Sequence, residues 1–299
     1  MTKDVAWDQA VVDETLAAAA RLAGFDYAGA ELIRNGSNAL YRLPSGVVAR
    51  IGRPGTEAVA RREVAVAEWF RGSGLAAVET LPGIRQPTVV GDRPVTWWAL
   101  LPEHRPASPA ELGDVLRTIH ALPITSAPDL PRHDPFADLD SRISSTRVLR
   151  EAELAWLSDH LHELQRSYGQ RLDDDAPVVI HGDAWQGNIA VPKSGQPIVL
   201  DLEAVSIGHR AWDLIQLAVD YTDFARITEA DYCSFVAAYG GYDVTADADY
   251  RLFGDIQELR WVCFALSKAD QRRTLAEEAR HRFACIRGEV PRPWAWNAI

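Results

Sequence analysis

The amino-acid sequence predicts an α+β fold in two parts, a strand-rich N-terminal part and a mainly helical C-terminal part. Between residues 30 and 103, short apolar runs alternate with Gly, Ser, Asn and Pro, which is typical of strands joined by tight turns. From residue 108 onward, apolar residues recur mainly at helical spacing. Charge divides near the same point. Residues 1–100 hold equal numbers of acidic and basic side chains, so the formal net charge of -11 belongs entirely to 101–299.

The elements of the N-terminal part have clear boundaries in the sequence. An Ala-rich amphipathic run ends at Gly24, a second helical run closes on Gly72 and Gly74, and Gly91 with Asp92 marks a turn between two strands. The expected order is a helix over 7–24, strands over 30–35, 39–44 and 46–52, a helix over 55–74 and a pair of strands over 86–103. In the C-terminal part, residues 177–205 interrupt the helices with short apolar strands around polar loops.

Length and composition limit the classes of protein that this chain can represent. With 299 residues, 47% of them hydrophobic, it is long enough for two domains, and we place an N-terminal lobe at 1–101 and a C-terminal lobe at 102–299. The acidic balance excludes a general nucleic-acid binder. The acidic N-terminus and the lack of a membrane-length apolar run predict a cytoplasmic protein without a membrane partner. The three cysteines have no metal-site spacing.

The sharpest motif is His181-Gly182-Asp183, followed by Asn188 and by an apolar strand that ends at Asp201. An aspartate on a loop can accept a hydrogen bond from an attacking hydroxyl and orient it. An asparagine oxygen and a second carboxylate are suitable ligands for Mg²⁺. Protein kinases place the same two residue types at the same spacing, as H-R-D-x-x-x-x-N. The pattern therefore predicts phosphoryl transfer.

This ordered set resembles the aminoglycoside phosphotransferase and choline kinase-like family of small-molecule kinases. The similarity runs from about residue 28 to 285 and includes H-G-D-x-x-x-x-N, the D-x-E that ends at Glu203, and Trp-Asp-Leu at 212–214. It implies a two-lobed protein kinase-like fold that uses ATP, with GTP not excluded, and Mg²⁺. It also implies that Asp183 is the catalytic base or hydroxyl-orienting residue, that Asn188 and Asp201 hold magnesium, and that His181 braces the loop.

The nucleotide side departs from the protein kinase pattern in one respect. The third strand carries Arg50 where a lysine is expected, and an arginine can contact phosphate with two donors. Its expected partner is Glu63 on the next helix. We predict that Ser37, in the turn 35–38, meets a phosphate, and that Leu100 and Leu101 form the hinge beside adenine.

The acceptor side is expected in the C-terminal lobe, and its acidity favours a small cationic molecule such as an aminoglycoside or related antibiotic. Glu203 could lie near the metal or face the substrate. Trp185 could pack on a ring of the substrate or anchor the catalytic loop in the core, and anchoring is favoured. Trp294 and Trp296 are expected to dock the C-terminal tail. The acids proposed to contact substrate are Glu203, Asp220, Asp223, Glu258 and Asp270.

Three alternatives remain open from the sequence. A metabolic kinase for an amino alcohol, sugar or amino acid uses the same catalytic residues. A nucleotide-binding pseudokinase is compatible with the replacement at Arg50. A metal hydrolase built on His181, Asp183 and Asp201 lacks a second histidine nearby.

Overall fold

The structure is a computed structural model that describes residues 8–36, 38–170 and 176–299. Its helices are α1 (Gln9–Ala23), α2 (Glu57–Gly72), α3 (Pro109–His120), α4 (Leu139–Ser145), α5 (Glu151–Gly169), α6 (Ala211–Thr222), α7 (Glu229–Tyr239), α8 (Tyr250–Lys268) and α9 (Arg273–Ile286). Its strands are β1 (Glu31–Asn35), β2 (Ala39–Arg42), β3 (Val47–Ile51), β4 (Thr88–Val90), β5 (Arg93–Ala99), β6 (His104–Pro106), β7 (Val178–Ile180), β8 (Ile189–Pro192), β9 (Ile198–Val199) and β10 (Ser206–Gly208). The predicted strand-rich beginning and helical remainder are both confirmed.

The chain divides into two compact units, and each unit is formed by three separate segments of the sequence. The described residues of the first unit lie within Met1–Ala107, Leu122–Leu130 and Gln186–Val205, and the second unit comprises Ser108–Ala121, Pro131–Trp185 and Ser206–Ile299. The sequence-based boundary after residue 101 places 186–205 with the C-terminal lobe, whereas its contacts place it in the first unit. The reason is backbone pairing with residues 76–78, because Val199 bridges Ala77, accepts the Val78 N–H at 3.0 Å and donates to the Ala76 carbonyl oxygen at 3.0 Å.

The first unit is organised around a five-stranded antiparallel sheet in the order β1-β2-β3-β5-β4. Along β3, side chains alternate between buried and half-buried positions, as expected when successive residues point to opposite faces. Ala49 and Ile51 point into a core that also holds Leu16 of α1 and Trp97 of β5. Arg50 therefore lies on the other face of the sheet, away from that core.

Helix α1 ends at Gly24, as the sequence predicts, and its first residue is Gln9. Asp8 caps its N-terminus by accepting a hydrogen bond from the Ala10 N–H, and Gly24 ends it with a left-handed conformation at φ 79°. The buried residues Val12 and Leu16 share one face of the helix. This face supplies one side of the core of the first unit.

The second unit is built mainly from helices packed around α8. This helix contacts α4, α5, α6 and α9, while α3 packs closely on α7. The close approach depends on Gly113, since a β-carbon there would lie 2.6 Å from the Phe235 carbonyl oxygen. Strands β7 and β10 form an antiparallel pair, and the loop that follows β7 carries the His-Gly-Asp motif.

The C-terminal tail packs into the second unit, as predicted from its tryptophans. The Trp294 N–H donates to the Asp223 carbonyl oxygen at 2.8 Å. The rings of Trp294 and Trp296 are stacked with centroids 5.5 Å apart, and both side chains are buried. Apolar aromatic area removed from water stabilises this attachment.

Across the described residues, no helix combines the length and the apolar character that a bilayer span requires.

Candidate active site

In the first unit, Arg50 of β3 holds three carboxylates together. Its Nη1 forms an ion pair with Glu63 of α2, and both side chains are largely buried, at 12% and 7% exposed. Its Nη2 lies 2.6 Å from Glu203 Oε2 and 3.5 Å from Asp201 Oδ1. The predicted ion pair between Arg50 and Glu63 is therefore present. Since an arginine cannot lose its charge at neutral pH, it is the fixed positive centre of an acidic cluster.

The charges around Arg50 change the protonation of Glu63. Burial raises the pKa of Glu63 to about 7, the positive charge of Arg50 acts in the opposite direction, and the negative charges of Asp201 and Glu203 raise it further. One arginine therefore does not fully neutralise the three carboxylates. An additional cation in this cluster would relieve that excess of negative charge.

Asp201 and Asn188, the two predicted metal ligands, are tied to one another by the backbone. The Leu200 N–H donates to the Asn188 carbonyl oxygen at 2.8 Å, which places the residue before Asp201 beside Asn188. Asp201 is exposed and has a left-handed backbone, with φ 51°. Asn188 is buried at the end of a 3-10 turn. The structure thus brings the two residues to one region of the first unit.

Glu203 belongs to the arginine cluster rather than to a surface of the second unit. Besides Arg50, it accepts a hydrogen bond from Asn38 Nδ2 at 3.2 Å. Asn38 follows Ser37 in the sequence, and Ser37 itself lies outside the described residues. A single carboxylate therefore links the β1–β2 turn to the arginine of β3.

The hinge residues Leu100 and Leu101 follow β5. The Leu100 N–H donates to the Gly46 carbonyl oxygen at 3.0 Å, and its side chain is exposed. Because this donor is already used within the first unit, adenine recognition would depend on the other backbone groups of the segment. The role of these two leucines as a hinge stays a prediction.

In the second unit, Asp213 fixes the backbone of the catalytic loop. Its Oδ2 accepts the His181 N–H at 2.6 Å, and its Oδ1 accepts the Gly182 N–H at 2.8 Å. The Trp212 indole N–H donates to the Gly182 carbonyl oxygen at 3.1 Å. Asp183 follows directly and is exposed. The loop is therefore held at its backbone while the Asp183 residue faces solvent.

Histidines on both sides complete the support of this loop. His181 is fully buried, and its Nδ1 lies 3.3 Å from the Asp183 N, consistent with the predicted bracing role. His120, at the end of α3, lies with Nε2 3.0 Å from Asp213 Oδ2 and Nδ1 2.7 Å from the Tyr239 hydroxyl. Burial acts to raise the pKa of Asp213, but the hydrogen bond and charge of His120, together with the Gly182 N–H, outweigh it and lower that pKa.

Asp213 and His120 are the supporting residues that sequence reasoning did not assign. In the sequence Asp213 stands out only as part of Trp-Asp-Leu, and its position in the first turn of an apolar helix is the one signal of a buried carboxylate. His120 has no comparable signal, since it ends an ordinary amphipathic helix some 60 residues before the motif. Only the fold brings it to Asp213.

Trp185 does not anchor the catalytic loop. Its side chain is 46% exposed, so the expectation of a core position was wrong. The indole N–H of Trp212 provides an attachment of the loop instead. Trp185 therefore presents an aromatic surface two residues after Asp183.

Two of the predicted substrate acids form ion pairs with arginines of the second unit. Asp223 and Glu258 are buried, and both pair with Arg251 and Arg292. Burial raises the pKa of Glu258 to about 8, and the hydrogen bond with Asp223 also acts to raise it. Because water does not reach these two groups, their burial and pairing disfavour direct contact with a substrate.

Asp220 and Asp270, the other two predicted substrate acids, have different surroundings from one another. Asp220 accepts a hydrogen bond from Arg226 at 2.7 Å, and Asp270 is exposed in a 3-10 turn after α8. Asp220 therefore has a protein cation as its partner. Substrate contact for either residue stays a prediction.

The arrangement of possible metal ligands does not support the metal hydrolase alternative. Among residues 8–36, 38–170 and 176–299, no three His, Cys, Asp or Glu side chains are arranged to hold a metal ion. A magnesium site in phosphoryl transfer differs, since Mg²⁺ usually takes one or two protein ligands and completes its shell with phosphates and water. Asn188 and Asp201 are compatible with that smaller set.

Comparison with known proteins identifies the family. Residues 29–253, three quarters of the chain, match the model of the phosphotransferase enzyme family. The chain belongs to this family. The predicted small-molecule kinase of the aminoglycoside phosphotransferase and choline kinase type is thereby confirmed. No curated protein sequence matches this phosphotransferase at significance.

Solved structures show the fold of the phosphotransferase. An amicoumacin kinase in complex with AMP-PNP, Ca²⁺ and Ami has a TM-score of 0.74 at 14% identity, covering 95% of each chain. A choline/ethanolamine kinase family protein from Mesorhizobium loti has a TM-score of 0.61 at 20% identity, covering 93% of this chain and 94% of its own. An aminoglycoside phosphotransferase from Streptomyces rimosus has a TM-score of 0.63 at 20% identity, covering 84% and 98%. The protein kinase-like α+β fold is confirmed.

Proposed function

We propose that this phosphotransferase transfers the γ-phosphoryl group of ATP to a hydroxyl of a small molecule and uses Mg²⁺. The observation that carries the proposal is the catalytic loop, whose backbone is held by Asp213 while Asp183 stays exposed. Phosphoryl transfer requires mainly accurate positioning and charge stabilisation from the protein. A rigid loop that presents one carboxylate meets the first requirement.

Asp183 acts on the acceptor hydroxyl. Its carboxylate accepts a hydrogen bond from the hydroxyl and aims the oxygen for in-line attack. The new bond joins that oxygen to the γ-phosphorus, the bond from the γ-phosphorus to the bridging oxygen breaks, and ADP leaves. The hydroxyl proton passes to the Asp183 carboxylate, from which it is returned to water.

The arginine cluster fits the nucleotide phosphates and their metal ion. Asn188 and Asp201 would hold Mg²⁺, and the excess of carboxylates around Arg50 favours a divalent cation. When bound, the ion would neutralise part of the negative charge of the phosphates. Arg50, with Glu63 fixing its guanidinium, would contact a phosphate in place of the usual lysine. The complex of the amicoumacin kinase with AMP-PNP and Ca²⁺ supports the choice of an adenine nucleotide and a divalent ion.

An antibiotic is the first acceptor class to examine. The amicoumacin kinase and the aminoglycoside phosphotransferase among the similar structures support this class. The predicted cationic character of the acceptor now depends on the overall charge of 101–299, because Asp223 and Glu258 are paired and buried. A role in resistance is part of the same proposal.

The test is ADP release from Mg²⁺-ATP with a panel of hydroxyl-bearing compounds that includes aminoglycosides. Asp183→Asn should lower turnover at least about 100-fold, since positioned acid–base groups contribute that much. Asp159→Asn, an exposed carboxylate on α5, is the matched control and should leave turnover unchanged. Absence of ADP release with every compound, or full activity of Asp183→Asn, would contradict the proposal. A thermal shift with Mg²⁺-ATP but no turnover would indicate a pseudokinase.

A further inference from the structure

Trp185 differs from every other tryptophan in the part of the chain that the structure describes. Its side chain is 46% exposed. The other described tryptophans are buried or half-buried, and each has a hydrogen-bonded indole N–H or a contact with another ring. Within the described residues Trp185 has neither contact. A single exposed apolar residue is common on protein surfaces, so the significance of Trp185 lies in its location.

Trp185 lies two positions after Asp183 on the catalytic loop. Ala184, between them, is buried at 6% exposed, whereas Asp183 and Trp185 are exposed. Burial that alternates in this way is expected of an extended segment, in which residues i and i+2 project to the same side. Their Cα atoms lie no more than about 7.6 Å apart, which is twice the separation of consecutive residues. The indole and the carboxylate therefore project from one side of the loop, and one small ring can contact both.

The backbone that carries these two side chains is held in place. Asp213 accepts hydrogen bonds from the His181 and Gly182 N–H groups, and the Asp183 N–H donates to His181 Nδ1 at 3.3 Å. A tryptophan side chain has few rotatable bonds, so it offers a large contact area at a low cost in conformational entropy. A surface prepared in this way binds a ligand with little further ordering.

We propose that Trp185 is a binding surface for the acceptor, and that the acceptor carries its reactive hydroxyl on a saturated ring such as a sugar or a cyclitol. The carbon-bound hydrogens of one ring face pack on the indole while a hydroxyl of the same ring reaches Asp183. This assignment rests on the proposed function, because it takes Asp183 as the residue that receives the hydroxyl. Contact with a substrate ring thus replaces the anchoring role expected from the sequence.

A rigid ring fits this surface better than an open chain does. One face of a saturated ring covers much of the indole, and both apolar surfaces are removed from water together. An acyclic amino alcohol has to immobilise several rotatable bonds to make the same contact, and each of them costs entropy. The indole face also attracts cations, so an amino group on the ring adds to the contact. Aminoglycosides, which combine rings with amino groups, belong to this acceptor class.

The test is calorimetric binding to the full chain without nucleotide, using two matched pairs of compounds. The pairs are myo-inositol with D-glucitol, and D-glucosamine with D-glucosaminitol, so each ring compound has an open-chain counterpart. We expect at least one ring compound to bind more tightly than its counterpart. Its Kd should rise at least about fivefold in Trp185→Ala and stay within about threefold of wild type in Trp185→Phe, which keeps an aromatic face.

Leu22→Ala is the control, since it removes another exposed apolar side chain, on α1. It should leave the Kd within about twofold of wild type. Because the Trp185 side chain is exposed and without a partner among the described residues, Trp185→Ala should change Tm by no more than about 2 °C. A loss of affinity then reports the contact with the ring and not a loss of folding.

Three results would overturn the inference: no binding of either ring compound, equal affinity of ring and open-chain compounds, or an unchanged Kd in Trp185→Ala. The ADP assay tests the proposed function separately. Binding that depends on Trp185 without ADP release would support the acceptor surface and contradict phosphoryl transfer. ADP release from a ring acceptor whose KM is the same in wild type and Trp185→Ala would support phosphoryl transfer and contradict the surface.

Discussion

Substitution of Asp213 by asparagine tests the support of the catalytic loop directly. The side chain is fully buried and accepts from His181, Gly182 and His120 at 2.6, 2.8 and 3.0 Å. An amide keeps one acceptor oxygen and turns the other into a donor. Whichever way the amide is oriented, at least one N–H of the loop or of His120 then loses its acceptor.

The expected magnitude follows from these contacts. A hydrogen bond to a charged group is worth about 1.5–3 kcal/mol, and an unsatisfied buried donor adds to the loss. We therefore expect about 3 kcal/mol of destabilisation, which corresponds to a fall in Tm of roughly 5 °C for a chain of this length. A displacement of the loop by about 1 Å can lower turnover about 100-fold. The affinity for Mg²⁺-ATP should change little, since Arg50 and Asp201 belong to the first unit.

The assays are thermal unfolding, calorimetric binding of Mg²⁺-ATP, and turnover with the acceptor found in the panel. Asp159→Asn is again the control. The lowered pKa of Asp213 also predicts how the stability of the fold changes at acid pH. Its pKa is lowered in the folded state, so its contribution to stability is complete above the ordinary pKa near 3.8 and is lost as the pH falls through the lower folded value. Asp213→Asn should reduce the loss of stability below pH 4. Unchanged Tm and turnover in Asp213→Asn would refute the bracing role.

Further predictions concern the nucleotide cluster and the tail. Arg50→Ala should raise the KM for ATP at least about tenfold, roughly 1.4 kcal/mol, in steady-state assays, and a KM within twofold of wild type would exclude a phosphate contact. Because the pKa of Glu63 is raised to about 7, its deprotonation destabilises the fold as the pH rises from about 4.5 to 7, and Glu63→Gln should remove this decline in denaturant titrations. An equal slope in both proteins would contradict the raised pKa. Trp294→Ala should cost about 3–5 kcal/mol of stability in thermal unfolding with turnover retained at low temperature, whereas loss of turnover in a folded variant would give the tail a further role.

The net charge of residues 101–299 and the local contacts of their acidic side chains lead to different expectations about the acceptor. The net charge of the second part of the chain favours a cation. Yet two of the acids predicted to contact substrate, Asp223 and Glu258, are buried and paired with arginines. Summed charge reports solubility and long-range attraction, and screening limits its reach to about 8 Å at physiological salt. Local placement therefore determines which group of a substrate is bound.

The sequence by itself determined the order of the helices and strands, and it predicted which residues would carry the chemistry. Alternating burial in β3, the cap at Gly24 and the spacing of Asp183 to Asn188 are local properties, so they can be recognised without a fold. The pairing of Arg50 with Glu63 could also be expected, because the resemblance fixes which strand faces which helix. These predictions need only the order of elements along the chain.

The tertiary structure alone decided which distant groups meet. His120 reaches Asp213 across 93 positions of sequence, Glu203 joins Arg50 across 153 positions, and Trp185 faces solvent rather than the core. No local pattern encodes such contacts, because a side chain's partner depends on how separate helices and strands pack. Hydrophobic periodicity reports which face of an element is buried, whereas the identity of the group opposite that face exists only in the folded chain.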